Sequence, residues 1–134
     1  MQKILILKIE NMKEGLLYTS TVDVTADNCA LNVGSGSLMV FATPSLAALM
    51  ENAAMMAVAS YLPEGSTTVG GEISIKHLRP SAVGEKISAT AELVQIDGRR
   101  LYFKISASDS KGTVGESTHT RFIVDIEKFM SKLS

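Results

Sequence analysis

Glu51 is the only charged residue between Pro44 and Leu62, and on a helix its neighbours three and four positions away are Ala47, Ala48, Ala54 and Met55. Burying an unpaired carboxylate in such a run costs several kcal/mol or raises its pKa. Its presence there therefore means one of two things: it does chemistry, or it pairs with an Arg or Lys across a subunit seam. His77 closes an alternating stretch in which Ile73, Ile75 and His77 fall on one side and Ser74, Lys76 and Leu78 on the other, so its imidazole points toward the core. A lone histidine on an apolar face is more often structural than catalytic. This one is set apart because its face should rest on the helix that carries Glu51. Thr43 precedes Pro44 and is fully explained as a helix N-cap, yet its hydroxyl stands where backbone donors favour developing negative charge. Thr43, Glu51 and His77 together would be a hydroxyl, carboxylate and imidazole set suited to acyl transfer, with one group to attack or position water, one to move a proton and one to orient. His119, aligned by alternation with Arg121 and Ile123, ranks below His77. The pair Gly70-Gly71 inside a good strand marks a bulge or a close ligand approach.

The elements that must position these residues are legible in outline. Residues 15–25 are rich in β-branched and aromatic types and read as a first strand. The run Asn-Val-Gly-Ser-Gly-Ser at 32–37 reads as a flexible loop. Thr43-Pro44 starts a helix that runs to about Tyr61 and stops before Pro63 and Gly65, with Thr43 as N-cap and Pro44 in the first turn. It is apolar on every face, as a buried helix is, and with Glu51 and Asn52 inside it is a wrapped core helix rather than a membrane span. Four extended segments follow, at 67–78, 86–96, 99–109 and 113–124. Asp97-Gly98 has two-residue hairpin spacing and Ser110-Lys111-Gly112 supplies the next turn, so the last three form a meander. A short tail helix spans 126–133. One strand, one buried helix and four strands make an α+β domain in which a curved antiparallel sheet wraps the helix. One sheet covers only part of a helix that is apolar all round, so a homodimer or larger homo-oligomer is expected.

Composition narrows the classes further. The chain of 134 residues is the size of a single domain, read here as 1–134, with 46% hydrophobic and 20% charged residues, ordinary globular usage. Thirteen basic against fourteen acidic residues, with no basic run and 5% aromatics, argue against a nucleic-acid partner. The single Cys29 forms no internal disulfide and no Cys/His cluster has metal spacing, so neither a metal nor another cofactor is expected and the chain reads as a cytoplasmic protein. The apolar start is too short for a membrane span and lacks a cleavage site. Residues 1–11 read either as an extra edge strand or as an extension.

Phe-Ala-Thr-Pro at 41–44, Leu-Met-Glu at 49–51, Thr-Val-Gly at 68–70, Lys-His at 76–77, Asp-Gly-Arg-Arg at 97–100 and Gly-Glu-Ser-Thr-His-Thr-Arg at 115–121 occur in order. Together these motifs resemble the fluoroacetyl-CoA thioesterase-like family of hot-dog thioesterases over residues 12–132. The resemblance implies a hot-dog fold and a catalytic set of Thr43, Glu51 and His77. It places Gly70 and Arg121 near the substrate, and it implies a dimer with sites at the subunit interface. The segment Ser37-Leu38-Met39-Val40 departs from the aromatic lid of the fluoroacetyl specialist, so the resemblance speaks for the chemistry rather than for that acyl group. The expected function is hydrolysis of a small acyl-CoA thioester, with coenzyme A present only as part of the substrate. Lys76, Arg79 or Arg121 are expected to meet the CoA phosphates, and Glu51 and His77 to share one pocket within a chain or across two. The competing readings are an acyl-thioester hydratase or dehydratase and a non-catalytic acyl-CoA binding module.

Overall fold

The computed structural model describes residue 9 and residues 11–134; apart from Ile9 and Asn11, the two readings of residues 1–11 fall outside the described residues. Among the described residues five strands, β1 (Leu17–Asp23), β2 (Ser66–His77), β3 (Lys86–Asp97), β4 (Arg100–Asp109) and β5 (Gly112–Asp125), form one antiparallel sheet in the order β1-β3-β4-β5-β2. The meander β3-β4-β5 is as expected, but the first turn sits one residue later than its sequence signal. Asp97 stays in the ladder opposite Arg100, and the loop is Gly98-Arg99. Gly98 takes φ 61° at the first central position, which a glycine adopts without a Cβ clash.

Helix α1 (Ala30–Val33) is a single turn where the sequence predicts loop from Asn32 onward. Gly34 at φ 86° ends it by donating its N–H to Ala30 O, so the glycine read as a loop signal acts as a C-cap. Helix α2 (Thr43–Ala59) lies against β3 and β1 on the inner face of the sheet. Leu46, Met50, Ala53, Ala54 and Val58 from α2 bury against Ile87, Leu93, Leu101 and Phe103. The alanines at 89, 91 and 107 are small and let the helix approach closely. Helix α3 (Ile126–Ser131) is N-capped by Asp125, whose carboxylate accepts from Lys128 N at 2.9 Å.

Helix α2 is not wrapped on all sides. Ala48, Asn52 and Met56, spaced four apart and therefore on one stripe, are exposed, Met56 by 37%. This agrees with the arithmetic that one sheet covers only part of an all-apolar helix.

The bulge in β2 has a geometric consequence. Gly70 and His77 are seven residues apart, and strict alternation would put them on opposite faces. The register slips between Gly70 and Glu72, leaving Gly71 as the extra residue. Alternation then restarts, so Thr68 and Gly70 before the bulge and Ile73, Ile75 and His77 after it all face α2. A Cβ on Gly71 would lie 2.3 Å from Phe122 Cε2, which explains a glycine at the extra position.

Candidate active site

Thr43 and His77 meet at the start of α2. The chain entering the helix is pinned by backbone bonds, Phe41 N to Ser81 O at 2.9 Å and Ala42 N to Asn28 O at 3.0 Å. These fix Ala42 in an extended conformation as the residue flanking the helix, so Thr43 is the first helical residue and Pro44 the second. The expected N-cap role of Thr43 is therefore corrected: its hydroxyl makes no cap bond and lies 2.7 Å from His77 Nδ1. His77 Nε2 is buried without a protein partner among the described residues. Burial holds the imidazole below its ordinary pKa, so at neutral pH it is uncharged and carries one lone pair. In the tautomer with Nδ1 unprotonated, the ring accepts the hydroxyl proton and can act as its base. A groove lined by Phe41, Ala42, Thr43, His77, Leu78 and Arg79 opens onto the pair.

Glu51 follows Thr43 by eight residues, about 12 Å along a helix, and belongs to a second cluster. Its side chain is 42% exposed, and Oε2 lies 3.8 Å from Arg121 Nη1, beyond hydrogen-bond distance. The carboxylate thus faces a cation without being tied to it. Arg121, 6% exposed, donates from Nε to Thr68 Oγ1 at 2.8 Å and from Nη2 to Thr68 O at 2.9 Å. Burial pushes the guanidinium below its ordinary pKa and Glu51 opposes that shift; an arginine stays charged under both influences. Gly70 pairs with Arg121 across the β2-β5 ladder. A Cβ there would lie 3.0 Å from Glu51 Oε2 and 3.4 Å from Arg121 Nη1, so the missing side chain leaves the carboxylate and the guanidinium open to approach.

Within one chain, then, Thr43 meets His77, and Glu51 meets Gly70 and Arg121. Glu51 makes no hydrogen bond or ion pair with His77, and it does not line the Thr43 groove. Two further residues belong to the second cluster. Thr68 holds Arg121 by two bonds, and His119, ranked below His77, contacts Arg121 directly, Nη1 donating to Nε2 at 3.2 Å. The alternation that aligned His119 with Arg121 was the available signal. The three cations expected at the CoA phosphates separate as well. Arg121 is buried and engaged, Arg79 donates to Asp109 Oδ1 at 2.7 Å and to Gly112 O at 3.1 Å, and Lys76 is exposed on the outer face of β2. A depression lined by Ser74, Lys76, Thr90, Glu92, Lys104 and Glu116 lies on that outer face, away from both clusters. Among the described residues no group of His, Cys, Asp or Glu is arranged to hold a metal ion, and no helix is long and apolar enough to cross a membrane.

The chain is similar in sequence and fold to several known proteins. A family model described as fluoroacetyl-CoA-specific thioesterase matches residues 24–127. The fluoroacetyl-CoA thioesterase of Streptantibioticus cattleyicolor is 38% identical over 94 residues, 70% of this chain and 68% of that protein. A solved structure of the fluoroacetyl-CoA thioesterase, 31% identical, superposes with a TM-score of 0.86 over 92% of this chain and 96% of its own. A variant of that enzyme, 31% identical with a TM-score of 0.83 over 88% of this chain and 99% of its own, was solved in complex with fluoroacetate and CoA. A hot-dog-like protein from Thermanaerovibrio acidaminovorans, at 22% identity, shares the fold with a TM-score of 0.85 over 92% of each chain. The curled sheet around α2 is thus a hot-dog fold, as expected from the sequence.

Proposed function

Since the chain belongs to the fluoroacetyl-CoA-specific thioesterase family, we propose that this hydrolase of acyl-CoA thioesters takes small acyl groups and works with Thr43, His77 and Glu51 at a site completed by a second copy of the chain. The observation that carries the reading is the 2.7 Å contact between Thr43 Oγ1 and His77 Nδ1, because it gives the hydroxyl a base and removes the N-cap explanation of the threonine. Thr43 Oγ1 attacks the thioester carbonyl while its proton passes to His77. The C–S bond breaks and CoA leaves as the thiol carrying that proton. Water then gives a proton to Glu51 and attacks the acyl-threonine ester, which frees the carboxylic acid and returns a proton to the threonine oxygen. Donors at the unsatisfied start of α2 stabilise the oxyanion in both steps, and Arg121 with the opening at Gly70 receives the substrate beside Glu51.

The separation of about 12 Å between Thr43 and Glu51 on one helix speaks for a partner. An isologous dimer that sets Thr43 of one copy against Glu51 of the other does so twice. Two features support it. Among the described residues the stripe Ala48, Asn52, Met56 is exposed, and β2, which carries both His77 and Gly70, is an edge strand. The experiment is a thiol-release assay over short, branched and aromatic acyl-CoAs. Release of free CoA with the matching acid is expected for short chains. Binding without thiol release would overturn hydrolysis in favour of a binding module, and addition of water to an enoyl-CoA with the thioester intact would favour a hydratase.

A further inference from the structure

His119 is absorbed by none of these steps, yet it is buried at the centre of the second cluster. Its Nδ1 lies 2.7 Å from Glu72 O, and a carbonyl only accepts, so Nδ1 carries a proton. Its Nε2 lies 3.2 Å from Arg121 Nη1, and a guanidinium only donates, so Nε2 presents a lone pair. The two contacts together require a neutral ring in one tautomer. Glu72 is the residue at which the β2 ladder resumes after the bulge, and the ring therefore ties the bulged backbone to the guanidinium. With Nε and Nη2 held by Thr68, the bond to His119 fixes the remaining arm of Arg121, the one directed at Glu51. A Cβ on Gly70 would sit 3.4 Å from His119 Cε1, so the ring also borders the opening that exposes Glu51 and Arg121.

From this geometry we infer that His119 is a positioning residue for the thioester reaction, acting through Arg121 by holding the guanidinium beside Glu51 and the Gly70 opening. The inference rests on the thioesterase reading for its kinetic consequence and on the hydrogen bonds alone for its structural one. The groups facing the ring are Arg121 on its own strand, Glu51 from α2, the Thr68 side chain and Glu72 carbonyl from β2, and the Phe103 ring from β4 with its centroid at 6.2 Å. Desolvation, with a smaller push from Arg121, holds the histidine below its ordinary pKa. A proton added at Nε2 would replace an accepting atom with a donor facing the guanidinium. As pH falls, Arg121 then loses that tether and kcat/KM falls with it.

The test compares His119→Leu, which removes both bonds, with His119→Gln, whose amide oxygen accepts in place of Nε2 and does not titrate. His119→Leu is expected to lower kcat/KM about ten- to a hundredfold, the scale of a displaced site group, and His119→Gln to recover most of it. Two histidines, the half-buried His77 and the buried His119, shape the acid limb of the parent's kcat/KM profile, so that limb should be steeper than one proton predicts. The glutamine variant should reduce it to a single-proton fall. Parent-like kcat/KM in a folded leucine variant, or an equally steep limb in the glutamine variant, would overturn the inference. A nitrogen NMR spectrum of the parent's imidazoles decides independently of activity. A neutral His119 protonated at Nδ1 is expected at neutral pH, whereas the other tautomer or an imidazolium would overturn the assignment. A parent that releases no thiol would sink the thioesterase reading alone and leave that spectrum to judge His119.

Discussion

Glu51→Gln is expected to release CoA in a single burst of about one equivalent per site and then to turn over at least about a hundredfold more slowly than the parent, the usual loss for a positioned base. Glutamine keeps the volume of the glutamate and removes its basicity. In the proposed sequence that basicity is needed only when water attacks the acyl-threonine. The first step, carried by Thr43 and His77, should survive, and the acylated enzyme should accumulate. The carboxylate is well placed for the second step because it is partly exposed and, at 3.8 Å from Arg121, not consumed by a hydrogen-bonded ion pair. Rapid-mixing thiol detection with intact-mass measurement checks this. A mass increase equal to the acyl group less one hydrogen, absent from the Glu51→Gln/Thr43→Val double variant, is the expected outcome. Steady turnover at the parent rate, or loss of the burst together with turnover, would show that Glu51 does not serve deacylation.

Thr43→Val is expected to lower hydrolysis at least about a hundredfold with no burst, while Thr43→Ser stays within about tenfold of the parent. The contrast isolates the hydroxyl. From sequence the same substitution would also cost a helix cap, about 1 kcal/mol. The structure removes that term, since the cap position is Ala42 and the hydroxyl is spent on His77. What valine costs is the pairing of the half-buried imidazole, also about 1 kcal/mol, so the fold should persist and the loss of rate should be chemical. Urea unfolding of both variants beside the activity assay checks it. Parent-like hydrolysis by Thr43→Val would return the threonine to a structural role and leave water as the attacking group.

Much of this arrangement could be read from local pattern. Alternation put His77 with Ile73 and Ile75, and His119 with Arg121, on faces that do turn toward α2. The pair Gly70-Gly71 signalled the bulge that keeps Gly70 and His77 in phase. What could not be read depends on contacts between distant segments. Local signals nominate Thr43 as the cap, but bonds from Phe41 and Ala42 to Ser81 and Asn28 decide where the helix begins. The hold of Thr68 on Arg121 spans β2 and β5, whose pairing no turn signal links. The spacing of Thr43 and Glu51 was visible from the start, yet only the sheet that seats each end of α2 shows that the two belong to separate clusters within a chain.

In the proposed dimer one active site draws Thr43 and His77 from one copy and Glu51 from another. Mixed dimers of a His77→Ala chain and a Glu51→Gln chain, isolated through two different tags, test it most directly. If the site crosses the subunits, each mixed dimer contains one doubly substituted site and one intact site, and about half of the parent's activity per dimer is expected, far above either inactive homodimer. Mixed dimers as inactive as the two homodimers would mean that each site takes Glu51 and His77 from the same chain, and would contradict the account.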